Sequence, residues 1–288
     1  MRLRTILATM ALMLTVVASE AAAQDCKKIT ALPFTITVEG NYCVTKDLST
    51  SISSATEVAA IEIRADNVVL DLGGFAVSYN PPDNTSVVRA IRTFGVRRSV
   101  TVRNGTIKGF IGAVYLIGDN VGLDNAGNVV ENLRVLDCVN LGIAVYGKGN
   151  IVRDNHIVNT IGRLNVAGGI STAIGAFGSG NMVLNNDVIG TTSAVNDDLS
   201  PAQGILFNFC NQCVAEKNRI VDTESPDPNT SRGIWVLTGS DVLIVNNRII
   251  KSLVGISFGL TATGLYRDNI ATACTTPYSG GTNAGNNQ

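Results

Sequence analysis

Short runs of Val, Ile and Thr, punctuated by Gly and Asn, recur along almost the whole chain, a pattern of many short strands and turns rather than of a helical bundle. Two landmarks give the runs a repeat. The first is an asparagine with a β-branched residue three places later: Asn104/Ile107, Asn132/Val135, Asn155/Val158, Asn186/Ile189, Asn218/Val221 and Asn247/Ile250. Mostly β-branched aliphatic residues stand three places before each, Asn269 is a weaker copy, and Val68–Val77 is an earlier rung with glycine in place of asparagine. The second landmark is a glycine opening a short apolar strand, at Gly112, Gly142, Gly169, Gly204, Gly233 and Gly255. From each glycine to the next asparagine is 20, 13, 17, 14, 14 and 14 residues. The return from asparagine to glycine is 8, 10, 14, 18, 15 and 8, so that part swells in three consecutive units. Fixed-length strands joined by a variable segment predict a solenoid, in which each coil pairs with the next and buries an aliphatic core that no single unit could bury. Asparagine suits a tight bend because it tolerates the left-handed conformation, and stacked amides can bond one another along the axis.

Composition narrows the setting. Lys+Arg number 22 against 23 Asp+Glu, which excludes a nucleic-acid footprint and a general attraction to anionic membranes. Residues 1–23 read as a signal peptide, with Arg2 and Arg4, an apolar stretch from Ile6 to Val17, and Ala21-Ala22-Ala23 before a cleavage point near Gln24. Export to the periplasm or the exterior is therefore expected, with no later segment long and apolar enough to span a bilayer. In such a compartment disulfides persist, and Cys26 and Cys43 are the expected pair. Cys210 and Cys213 form a CxxC without a thioredoxin-like setting, read as a local pair or buried thiols. The expected organisation is a leader and cap over 24–60, coils over 61–278 and a disordered tail over 279–288.

The asparagine file, the Gly-Ile strands and Asn67-Val-Val-Leu-Asp-Leu-Gly-Gly resemble the pectate-lyase-like superfamily, and more narrowly secreted bacterial right-handed parallel β-helix repeat proteins. The resemblance runs over roughly 26–275, and residues 29–48 are similar to the leader strands that precede such helices. It implies an all-β, single-stranded right-handed parallel β-helix of about eight rungs. For function it implies less, because the superfamily holds lyases, hydrolases, epimerases and non-catalytic surface proteins.

On the superfamily's layout the asparagines mark the turn after the second strand of each rung. The long loops 159–168, 190–203 and 222–232 then leave one edge on neighbouring rungs, where members that cleave polysaccharide build a groove. Strand alternation counted from the glycines places Val114, Ala144, Ser171, Leu206, Trp235 and Ser257 outward, followed by Leu116, Tyr146, Asn208 and Leu237. None is charged, so the calcium pectate-lyase arrangement is missing from that row. The polygalacturonase pattern is missing too, since His156 is the sole histidine. Candidate sugar-binding residues are Trp235, Tyr146, Asn208, Arg163 and Arg232. Candidate acids, bases or calcium ligands are Asp197, Asp198 and Asp222, with Glu224 and Asp227 beside them; calcium is the one ion such loops suit, and no other metal or cofactor is indicated. The position after each asparagine brings His156, Asp187 and Arg219 onto adjacent rungs, as an acid–base cluster or as plain cross-strand charge pairing. Two functions are expected from this: a secreted protein that binds or modifies an extracellular polysaccharide, as lyase, hydrolase or epimerase if catalytic, or a non-catalytic adhesin or envelope component.

Overall fold

The structure is a computed structural model that describes residues 25–54, 56–80, 87–117, 126–163, 169–194, 201–226 and 230–288. The signal-peptide segment 1–23 lies outside those residues. All the regular structure described is β-strand. One face stacks ten parallel strands: Phe34–Ile36, Val58–Ile63, Val88–Thr93, Gly112–Leu116, Leu141–Tyr146, Ser171–Phe177, Ala202–Asn208, Ser231–Val236, Val254–Phe258 and Thr276–Ser279. We call this the first face. After each strand the chain turns into a short second strand, such as Ile151–Arg153 or Met182–Leu184, and bends again into a third, such as His156–Ile161 or Asp187–Thr192. In two early coils the last two strands are fused, as Val100–Lys108 and Val129–Leu136. The expected solenoid is thus observed. Its rung count differs slightly from the eight expected.

The core is a set of straight files. On the first face Ile61, Ile91, Val114, Ile143, Ile174, Ile205, Ile234 and Ile256 pair in register, coil upon coil, and every one is fully buried. β-Branched side chains fit because each rung is pleated strand and the neighbour above supplies the packing partner. Each such side chain contributes about 1.5–3 kcal/mol by burial.

The asparagine file is a continuous chain of amides. Asn155 donates its backbone N–H and Nδ2 to Oδ1 of Asn186 at 3.1 and 3.0 Å. Asn186 does the same to Asn218, Asn218 to Asn247, Asn247 to Asn269, and Asn269 to Asn287. Three details differ from expectation. Asn104 and Asn132 are not in the file: they sit one place earlier, and Leu133 takes the file position, donating its N–H to Oδ1 of Asn155. The left-handed residue of each bend is the one before the file asparagine: Asp154, Asn185, Lys217, Asn246 and Asp268, all at φ 53 to 58°. The residues 279–288, expected as a disordered tail, complete the last coil, where Thr282–Asn283 pairs with the preceding coil and Asn287 ends the file.

A second amide file, Asn128–Asn150–Asn181, runs through the turn between first and second strands. In the next coil Cys213 holds the equivalent place, as the register Met182↔Val214 requires, and its disulfide to Cys210 closes the turn. The expected Cys26–Cys43 disulfide is formed within the leader, beside the parallel pairing of Lys27–Ile29 with Gly40–Val44. Cys138 and Cys274 are free, and burial pushes the Cys138 thiol from its ordinary 9.0 to about 12.

The glycine landmark is a packing device. A Cβ on Gly142, Gly204, Gly233 or Gly255 would lie 2.4 to 2.7 Å from a carbonyl oxygen of the next coil. In these coils only a hydrogen fits at that position, and the other coils fill it with the next smallest side chain, at Ala60, Ala90, Ala113 and Ala173. Gly112 and Gly169 do not belong to this file. Gly112 pairs with Leu141, one place before Gly142. The place of Gly169 is taken by Ala173, which follows from the pairing of Ile143 with Ile174.

Candidate functional site

These register shifts redraw the outer surface of the first face. A slip of one residue turns every side chain of a strand over. Val114 and Leu116 therefore point inward and are fully buried, and Tyr115 points out instead. Ser171 leaves the row, being paired with Ala202, and Gly175 takes its place beside Leu206. The outward row is Glu62, Arg92, Tyr115, Ala144, Gly175, Leu206, Trp235 and Ser257. A flanking row holds Tyr146, Phe177 and Asn208. On the other side run Arg89, Gly112, Leu141, Thr172, Gln203 and Arg232. The row expected to lack charge is thus charged in its early coils.

Arginines and rings form a connected surface there. Glu57 accepts from Nε of Arg89, and its backbone carbonyl accepts from Nη1 of Arg92 at 3.0 Å. The Arg89 guanidinium lies flat over the Tyr115 ring, 3.7 Å from its centre. The hydroxyls of Tyr115 and Tyr146 meet at 3.3 Å, and Tyr146 stacks on Phe177 at 4.3 Å and 8°. Three coils further on, Arg232 covers Trp235 at 4.2 Å, and its Nη1 donates to the Thr230 carbonyl at 3.3 Å.

Two glycines make this layering fit. A Cβ on Gly112 would come within 2.9 Å of Nη1 of Arg89, and one on Gly175 within 2.7 Å of the Phe177 ring. Both planar groups lie on the sheet only because the residue beneath has no side chain. The cations are held at a cost in hydration. Arg89 and Arg92 side chains are only 13% and 12% exposed, and Nη1 of Arg89, Nε of Arg92 and Nε of Arg232 are buried with no hydrogen-bond partner among the described residues. Burial lowers the Arg232 pKa and raises that of Tyr146, which stays a neutral donor.

The expected site residues divide between two surfaces. Trp235, Tyr146, Asn208 and Arg232 share the first face; the Asn208 amide oxygen accepts from the Thr238 hydroxyl at 2.7 Å. Arg163 follows the third strand His156–Ile161, at the start of the segment leading to the next coil. His156, Asp187 and Arg219 lie on the outer side of the third strands and do come together. Nδ1 of His156 is 3.0 Å from Oδ2 of Asp187, and Nη1 of Arg219 is 2.6 Å from Oδ1 of the same carboxylate. All three are over a third exposed, and cross-strand ion pairing accounts for the geometry without chemistry.

Asp197, Asp198 and Asp227 fall outside the described residues. Asp222 and Glu224 both face the Lys251 ammonium, which sits 3.3 Å from one carboxylate and 2.5 Å from the other. Among the described residues no three His, Cys, Asp or Glu side chains converge on a point. Among the described residues no helix is long and apolar enough to cross a membrane.

The family model for the right-handed β-helix region matches residues 89–287, and the chain belongs to that family. Its fold is that of the pectate-lyase-like superfamily. Among solved structures it is similar to the Dettilon tailspike protein (gp208), at 12% identity and a TM-score of 0.51, over 91% of this chain and 59% of the tailspike. The chain thus spans about 59% of that protein's length. The complex of alginate lyase AlyF-OU02 with G6 gives 13% identity and a TM-score of 0.47, over 91% of this chain and 79% of the lyase. The A-module of Azotobacter vinelandii mannuronan C-5 epimerase AlgE4 gives 14% and 0.38, over 85% and 86%. At these identities the likeness is one of fold. No curated protein matches the chain in sequence.

Proposed function

We propose that this is an exported protein that binds an extracellular polysaccharide lengthwise along the first face. The observation that carries the reading is a line of rings and guanidiniums, in contact from Arg89 through Tyr115 and Tyr146 to Phe177 and resumed two coils further on by Trp235 and Arg232. Ring faces stack on the C–H faces of pyranoses, and buried N–H groups without a partner gain hydrogen bonds when hydroxyls or carboxylates arrive. The coil-to-coil spacing sets such groups in a line, as an extended polymer requires. Export is supported by the basic and apolar leader and by the two disulfides.

The test is a panel of neutral and acidic polysaccharides, measured for binding and for chain cleavage or unsaturated products. Trp235→Ala and Tyr146→Ala are expected to weaken binding to the recognised glycan by about tenfold each. Unchanged binding in both variants would remove the reading. A loss of turnover in His156→Gln, with the two aromatic variants unaffected, would move the site to the third strands.

A further inference from the structure

The outer side of the third strands carries an unbalanced file of charge. In register from coil to coil stand Arg134, His156, Asp187, Arg219 and Arg248. On the second strands and the bends after them cations are neutralised by a neighbour: Arg103 by Asp71, Arg153 by Glu131, Lys217 by Glu216, and Arg267 by Asp268. In the file only Asp187 is acidic, and it is shared by His156 and Arg219. Arg134 and Arg248 are exposed and form no ion pair among the described residues. The carboxylates at the adjoining bend are committed, Asp154 to Asn185 and Asp268 to Asn286 and Arg267. Arg219 and Arg248 also face each other directly on adjacent strands, an arrangement that destabilises a sheet unless an anion lies between or over them.

Beside this file runs a second, of half-buried aliphatic residues: Leu136, Val158, Ile189, Val221 and Ile250. This file, with one residue per coil at about 4.8 Å and positive at Arg134, Arg219 and Arg248, extends over five coils beside an apolar floor, the dimensions of a polymer and not of a point ligand. We propose that this wall is a second binding surface, for an anionic polysaccharide running parallel to the solenoid axis, with Arg134, Arg219 and Arg248 taking its acidic groups. The surface is separate from the first face and does not depend on the function assigned there.

The experiment uses the full chain with dextran sulfate as the probe and uncharged dextran as the reference. The pair Arg134→Gln/Arg248→Gln is compared with a control that removes the same charge from the exposed lysines Lys28 and Lys46 as Lys28→Gln/Lys46→Gln. The arginine pair is expected to weaken dextran sulfate binding by about tenfold and to flatten its salt dependence. The lysine pair should stay within about twofold of the parent. Equal losses in both double variants would overturn the proposal by showing a response to net charge alone. So would tighter binding to polyglutamate, or to phosphatidylglycerol vesicles, than to dextran sulfate. Both arginines project into solvent, so melting temperatures close to the parent are expected, and circular dichroism confirms the fold of each variant before binding is compared.

Discussion

The two outer walls carry arginine in opposite ways. On the first face Arg89, Arg92 and Arg232 lie down on the sheet, pressed over rings and short of hydrogen-bond partners. On the third-strand wall Arg134, Arg219 and Arg248 stand in solvent. The same residue type on the same scaffold is therefore a desolvated, oriented donor in one place and a screened charge in the other. The difference comes from what lies beneath. Gly112 leaves room for a flat guanidinium, whereas the third strands place β-branched side chains next to their arginines. Buried donors favour shape-specific recognition, and exposed charges favour attraction that salt weakens.

Substitutions can break or sharpen that contrast. The largest effect is expected where both walls depend on one support: Asn186→Ala removes the amide that bonds Asn218 and the Val152 carbonyl, and leaves the Asn155 donors unmet. A loss of about 3 kcal/mol in chemical denaturation is expected, with both walls affected together. Next comes Glu57→Gln, which strips the counter-charge from the Arg89–Arg92 pair. It should cost about 2 kcal/mol, because those cations are little hydrated. The matching change on the other wall, Asp187→Asn, should cost under about 1 kcal/mol and shrink further in 1 M salt. Comparable losses in these two variants would erase the distinction. The smallest effect is expected from Gly112→Ala: stability within about 1 kcal/mol of the parent, but a displaced Arg89 and weaker glycan binding. Unchanged binding there would show that the flat guanidinium is not needed.

The fold was legible because its signal is redundant. Five asparagines, from Asn155 to Asn269, stand in one file with buried aliphatic residues at fixed offsets on either side, so a few misplaced copies do not hide the repeat. Register was less legible for a chemical reason: Asn also favours the left-handed bend position, so Asn104 and Asn132 imitate file members from one place away. The site suffered most from this. Counting from Gly112 put Val114 outside and hid Tyr115, and starting the count there left out Arg89 and Arg92 altogether. A usable signal was present in Val-Ala-Ala-Ile-Glu-Ile and Val-Arg-Ala-Ile-Arg-Thr, two runs that align on Ile61 and Ile91 and place Glu62 and Arg92 together on the outer side. The His156–Asp187–Arg219 contact was legible because those coils contain the true file asparagines.

The amide chain through Asn186 and Asn218 joins residues 32 apart by the same two hydrogen bonds that join every other pair in the file. A whole coil is therefore the natural unit in which this molecule can lengthen or shorten. Removing or duplicating the segment between two file asparagines would leave each junction chemically identical, just as the same bonds already close segments of 31, 32, 29 and 22 residues. Each coil gained or lost moves Trp235 relative to Tyr146 by about 4.8 Å without altering either side chain. The solenoid thus acts as a ruler, whose graduations are coils and whose reading is the distance between Tyr146 and Trp235.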